Sequence, residues 1–184
     1  MLINIINSHQ GYLYITCYIF IIMKNPIIKI VPGSQNGQKM YCGFIGAYDL
    51  AKLYSNNVIQ ADTYDKIHKR GYQRTINPLR AKKFARFISG QETVASQLAP
   101  TNIVLYVRDP SKFPDPKGGE CELPLSSPGP LAYIVEGQHR AYGYDYAFQE
   151  GFIDEDFSYD VPVSIIFWDP ILGIPAEEQE QMIF

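Results

Sequence analysis

Short apolar runs separated by glycine, proline and asparagine divide the chain into alternating extended and helical elements. Ile27 to Val31 reads as a strand, Pro32-Gly33-Ser34-Gln35-Asn36-Gly37 as a turn, and Gln38 to Ile45 as the returning strand of a hairpin. Leu50, Leu53 and Tyr54 fall at helical spacing, which predicts a short helix over Tyr48–Tyr54 that Asn56-Asn57 breaks. Ala61 to Lys69 reads as another short helix. Asn77-Pro78 is a helix start, a capping side chain followed by a proline whose missing N–H costs nothing in the first turn. Ala81, Phe84, Ala85 and Ile88 supply that helix with a buried stripe, and Gly90 supplies its stop. Asn102 to Val107 is a strand. Asp109 to Pro130 contains six prolines, so it predicts a long loop, either a surface excursion or a lid. Leu131 to Val135 is a strand, and Ala141 to Gln149 a helix closed by Gly151. Val161 to Trp168 is almost continuously apolar, as a central strand is. Pro170 to Pro175 turns, and Ala176-Glu177-Glu178 opens a last helix with an acidic first turn. The pattern predicts a mixed α/β (α+β) domain with a mixed sheet and a proline-rich loop.

The two ends modify that picture. Gly11 to Met23 is apolar and aromatic, but it is short for a membrane span and lacks a basic flank. Met23-Lys24-Asn25-Pro26 reads as a fresh beginning, so residues 1–22 are expected to be an extension and residues 23–184 the domain. The last helix has run only about two turns when Phe184 is reached, so the domain is expected to be C-terminally incomplete. Cys17, Cys42 and Cys121 are widely spaced and form no zinc motif, which fits a reducing, cytoplasmic setting with no membrane partner.

Charge is unevenly placed along a chain whose formal net charge is only -3. From Lys66 to Arg86 there are eight Lys or Arg and no acid, whereas from Ala141 onward there are ten Asp or Glu and no Lys or Arg. A solvated helix face normally mixes signs, so the basic window predicts either such a face or a contact with a polyanion.

The candidate chemistry converges on Tyr133-Ile134-Val135-Glu136-Gly137-Gln138-His139-Arg140. A strand stops, a glycine lets the backbone approach a ligand closely, and a helix begins with free N–H groups, which is the arrangement that receives a small anion. Gln138 donates and accepts, His139 can move a proton, and Arg140 can fork onto a phosphate. Nothing nucleophilic stands at this turn, and the three histidines have no metal-ligand spacing, so no metal site is expected. Neither a Walker-type loop nor a dinucleotide fingerprint is present.

Glu136-Gly137-Gln138-His139-Arg140 resembles, with Glu for Asp, the signature of the DGQHR-domain family. Gly71-Tyr72-Gln73-Arg74, followed by Arg80 and Phe84–Ile88, is similar to that family's upstream element. The resemblance covers roughly Lys39 to Phe184. It implies a ParB/sulfiredoxin-like fold and a DndB-like regulatory protein of a DNA modification system, phosphorothioation above all. In that reading Gly137, Gln138, His139 and Arg140 hold a phosphate. Gln73, Arg74 and Arg80 complete the pocket, and Lys82, Lys83 and Arg86 touch the DNA backbone. The implied ligands are DNA and ATP or another NTP, the implied partners other DNA-modification proteins, and the implied assembly a homo-oligomer. Because Gln138 stands where sulfiredoxin has its reactive cysteine, a reductase is not expected. Two alternatives remain at this point: an NTP hydrolase in which Glu136 or His139 positions water, and an interaction subunit that docks through its acidic half.

Overall fold

The computed structural model describes residues 24–63, 71, 73–92 and 97–183. The expected extension, residues 1–22, lies outside them, as do Lys66, Lys69 and Arg70 of the basic window. Among the described residues, seven strands form one mixed sheet: β1 (Ile27–Gln35), β2 (Gln38–Gly46), β3 (Ile59–Ala61), β4 (Ile103–Val107), β5 (Glu120–Glu122), β6 (Ala132–Glu136) and β7 (Asp160–Phe167). The helices described beside them are α1 (Ala47–Ser55), α2 (Pro78–Ile88), α3 (Gln138–Gln149) and α4 (Ala176–Ile183). The strand order is β3-β6-β4-β7-β2-β1-β5, so the apolar run of β7 is central as its sequence predicts. Parallel pairs join β3 to β6 and β4 to β7, and the other pairs are antiparallel. The mixed α/β reading therefore holds.

Three local readings need correction. The hairpin turn is Asn36-Gly37 alone, both at positive φ, and β1 runs on through Pro32. Ile30 N donates to Gly119 O at 2.8 Å, and Pro32, two residues on, faces the same edge after pairing with β5 has ended at Lys29. Its missing N–H therefore breaks no ladder bond. Ala61 does not open a helix: Ile59, Gln60 and Ala61 pair with Ala132, Tyr133 and Ile134, and residues 64–70 lie outside the described chain. The proline-rich segment is not all loop either, since Glu120–Glu122 pairs with Ile27–Lys29 along the sheet edge.

The helix with the clearest sequence signal sets the position of the site. Asn77 caps α2, its Oδ1 accepting from the N–H groups of Leu79 (3.0 Å) and Arg80 (3.3 Å), and Pro78 occupies the first turn. Ala81, Ala85 and Ile88 are buried and Phe84 is half-buried. This small-residue stripe meets α3 at Gly143, where an added Cβ would lie 2.6 Å from Phe84 Cδ1 and 3.0 Å from Ala81 O. The missing side chain lets the two helices approach closely. α1 packs on the far side of α3, and the helices cover Ile103, Leu105, Ile134, Val163 and Ile165 of the sheet.

Among the described residues, the opposite face is covered at the α4 end only. There Tyr106 donates to Gln179 of α4 (3.3 Å), and Arg108 lies 3.6 Å over the Tyr133 ring while pairing with Asp62 and with the fully buried Glu180. These contacts anchor α4 to the sheet.

The β1–β2 pair has no slack at Gly43, where a Cβ would fall 1.9 Å from Lys29 O and 2.9 Å from Ile30 Cα, both backbone atoms. Gly43→Ala is expected to destabilise the protein by about 2–3 kcal/mol, the upper part of the overpacking range, whereas Gly129→Ala, with open space around it, stays near neutral. Urea unfolding of the two variants checks this.

Candidate functional site

β6 ends at Glu136, and the chain reverses through Gly137 at φ 92°, a conformation that side chains other than glycine's rarely adopt. A Cβ here would also crowd Ile103 and the Arg140 guanidinium, at 3.0 and 2.9 Å. The pairing of β6 with β4 slips by one residue before the turn, so Val104 lies opposite Glu136 while Leu105 lies opposite Ile134. Bulges of this kind re-aim a strand end. α3 then starts at Gln138, three residues earlier than expected, and no side chain caps it.

Two side chains of its first turn pin that turn in place. His139 Nε2 accepts from the backbone N–H of Asn77 at 3.0 Å, joining the starts of α3 and α2. The accepting nitrogen must be unprotonated, so the neutral ring carries its proton on Nδ1. Arg140 donates to Thr101 O at 3.0 Å and Asn102 O at 2.5 Å, which ties the start of α3 to the segment entering β4. A concavity of about 720 Å³ opens among these pieces, lined by Arg74, Arg80, Pro100–Asn102, Val104 and Val135–Arg140.

The sequence-predicted residues divide into groups inside this arrangement. Gly137, Gln138, His139, Arg140, Arg74, Arg80 and Glu136 all line the concavity. Arg74 and Arg80 are exposed and pair with no carboxylate among the described residues. Arg140 lines the wall but turns two of its N–H groups toward backbone carbonyls. Gln138 is about nine-tenths buried; its Nε2 donates to Arg74 O at 3.2 Å, and its Oε1 has no hydrogen-bond partner. Gln73 lies behind the wall, its amide donating to the carbonyls of Ile134 and Val135, so it supports the end of β6. Lys82, Lys83 and Arg86 are exposed along α2 and none lines the concavity; Lys82 sits 5.0 Å over the Tyr146 ring. The proline-rich segment contributes nothing to the lining, so it is not a lid over this site.

Pro100 and Val104 were missed by sequence reasoning too, but Thr101 and Asn102 are the missed wall residues that hold Arg140. These two act through main-chain oxygens, which carry no residue-type signal. Tyr159 supports the same segment, its hydroxyl donating to Gln97 O (2.8 Å) and accepting from Ala99 N (3.0 Å).

Electrostatics keep His139 neutral. Burial against the helix starts pushes its pKa below the ordinary value, Arg80 and Arg74 push it further, and Glu136 opposes them. Protonation would also place a hydrogen on Nε2, against the Asn77 N–H. His139 is therefore a fixed Nδ1–H donor here, and its Nε2 is not free to accept a proton from water. Among the described residues, no group of three or more His, Cys, Asp or Glu converges to hold a metal ion, and no helix is long and apolar enough to cross a membrane.

No family model, no curated protein and no solved structure matches this chain. The labels expected from the two short motifs are corrected on that finding: DGQHR, DndB-like and ParB-like identity, DNA modification, phosphorothioation, transcription regulation, and DNA and nucleotide binding have no supporting match. What stands is the mixed α/β domain and the concavity.

The His139 ring is expected to titrate below 6.5, its ordinary value. The folded protein thus favours the neutral ring, and its contribution to stability is complete above the unfolded-state pKa and declines as pH falls through it. Ring NMR resonances followed from pH 8 to 4 (roughly the useful range for an imidazole) check this: Arg80→Ala should move the midpoint up and Glu136→Gln should move it down.

Proposed function

We propose that the concavity at the start of α3 binds a small oxyanion of the phosphate class. The observation that carries the reading is that two exposed arginines with no carboxylate partner among the described residues, Arg74 and Arg80, stand in one concavity with an uncapped helix start. Helix N–H groups and the positive end of the helix dipole favour negative charge, and guanidinium groups match the fork geometry of phosphate oxygens. His139 adds an Nδ1–H donor that stays neutral. Arg140 serves the site indirectly by holding the Thr101–Asn102 wall.

Two features narrow the ligand. Glu136 brings one negative charge to the concavity, so a dianion is bound less tightly than the arginines alone would allow. The unpartnered Oε1 of Gln138 accepts hydrogen bonds, and a head group that carries its own donor, such as a singly protonated phosphate oxygen, would satisfy it. Both features favour a monoanionic or hydroxyl-bearing head. The site needs no reaction to account for any of its parts, so the reading is one of binding.

Calorimetry with inorganic phosphate at low salt tests the proposal. Arg74→Ala and Arg80→Ala should each weaken binding by about tenfold or more, the usual loss for a charge-assisted hydrogen bond. Glu136→Gln should tighten it by several-fold. No binding to the wild type, or binding by both arginine variants as tight as the wild type's, would count against the reading.

A further inference from the structure

Asn102 belongs to two concavities at once. Its main chain is held by Arg140 at the anion-binding wall, and its side chain borders a second hollow of about 600 Å³ on the open face of the sheet. Val31, Cys42, Phe44, Lys29 and Pro162 line that hollow with Asn102.

The strand register makes the two continuous. Val104 of the anion site pairs with Ser164, Ser164 with Cys42, and Cys42 with Val31, so these four residues form a row across β4, β7, β2 and β1. Beside it runs a second row, Pro162, Phe44 and Lys29. Directly paired residues share a sheet face, and neighbouring strands lie about 4.8 Å apart. The row from Val104 to Val31 therefore spans roughly 14 Å. It starts at the polar concavity and ends at two large side chains left in water, Val31 at 68% and Phe44 at 52% exposure. Midway, Asn102 Nδ2 donates to Ser164 Oγ at 2.9 Å, and Ser164 Oγ lies 3.7 Å from Cys42 Sγ, so the polar atoms in the track are already partnered. A ligand crossing this stretch need supply no hydrogen bonds. α4 leaves this end of the face uncovered, while the sheet's other face is filled by the core.

We infer that the ligand of the anion site is a free amphiphilic monoester: a phosphate-class head at the start of α3 and an unbranched apolar body lying along the Val104–Ser164–Cys42–Val31 track. The inference rests on the anion-binding reading above and adds to it the chemical class of the ligand's body. The head fixes one end by charge, and the body covers apolar surface, Val31 and Phe44 above all, that no other described residue buries. Phe44 and Val31 set how much chain the track accepts.

A series of soluble alkyl phosphates from methyl to octyl, measured by calorimetry below their micelle concentrations, separates the two claims. Affinity should rise about twofold per added methylene, roughly half the effect of full burial because one side of the track stays open. Phe44→Ser should flatten this dependence and leave inorganic phosphate binding unchanged, while Arg74→Ala should weaken every member of the series alike. Phosphate binding with no chain-length dependence would overturn the amphiphile inference and leave the anion site standing. No binding by any member would overturn both. A chain-length dependence that Phe44→Ser does not alter would put the body elsewhere, against this inference. Sedimentation in the same buffers tests a different occupant: a dimer that Phe44→Ser dissolves would show that a second copy covers the face, and would also overturn it.

Discussion

The candidate site depends on one helical turn being pinned at two points. His139 takes the Asn77 N–H, and Arg140 takes the carbonyls of Thr101 and Asn102. Three segments distant in sequence, the starts of α2 and α3 and the lead into β4, meet through these bonds. The bonds of the charged Arg140 contribute about 1.5–3 kcal/mol each and the neutral His139 bond about 0.5–1.5 kcal/mol, against about 0.3–1 kcal/mol for a charge at a helix end. The pins, more than the dipoles, fix where the helix start points. Gly137 and Gly143 make the pins reachable, the first by its positive φ and the second by letting α2 lie close on α3.

The arginines show how the same residue type is put to different uses. Arg108 is largely buried, bonded to Asp62 and Glu180 and stacked on Tyr133, and its guanidinium holds α4 to the sheet. Arg140 spends two donors on carbonyls. Arg74 and Arg80 have neither kind of partner among the described residues, and both face the concavity at the uncapped start of α3. A paired buried arginine is costly to disturb because its partner would be stranded. An exposed one in a concave site keeps its donors for a ligand. Glu136 on the same wall keeps the local field from becoming simply positive, which bears on selectivity more than on strength.

Much of the fold was legible because it is written in local signals. Asn77-Pro78 marks α2 to the residue, and the unbroken apolar run of β7 marks its central place. The turn at Gly137 was legible for the same reason. The failures share a different cause. Ala61 joins a strand because Ala132–Ile134 offers a parallel edge, and Glu120–Glu122 pairs because β1 has a free side beside Ile27–Lys29. Neither partner is visible in the local pattern. Arg140 and Gln73 were expected to meet a phosphate, but main-chain carbonyls occupy much of the one's fork and the other's amide. Backbone acceptors belong to every residue and are selected only by the tertiary path. Family-level expectations rested on two short motifs alone.

The central claim concerns where an oxyanion sits, and the most direct measurement is a crystal structure of the protein grown with tungstate, a heavy tetrahedral oxyanion with a strong anomalous signal. The account places the tungsten peak between the guanidinium groups of Arg74 and Arg80 and the first N–H groups of α3, within hydrogen-bond reach of His139 Nδ1. Peaks confined to Lys82, Lys83 and Arg86 on the outer side of α2, with the concavity empty, would contradict it.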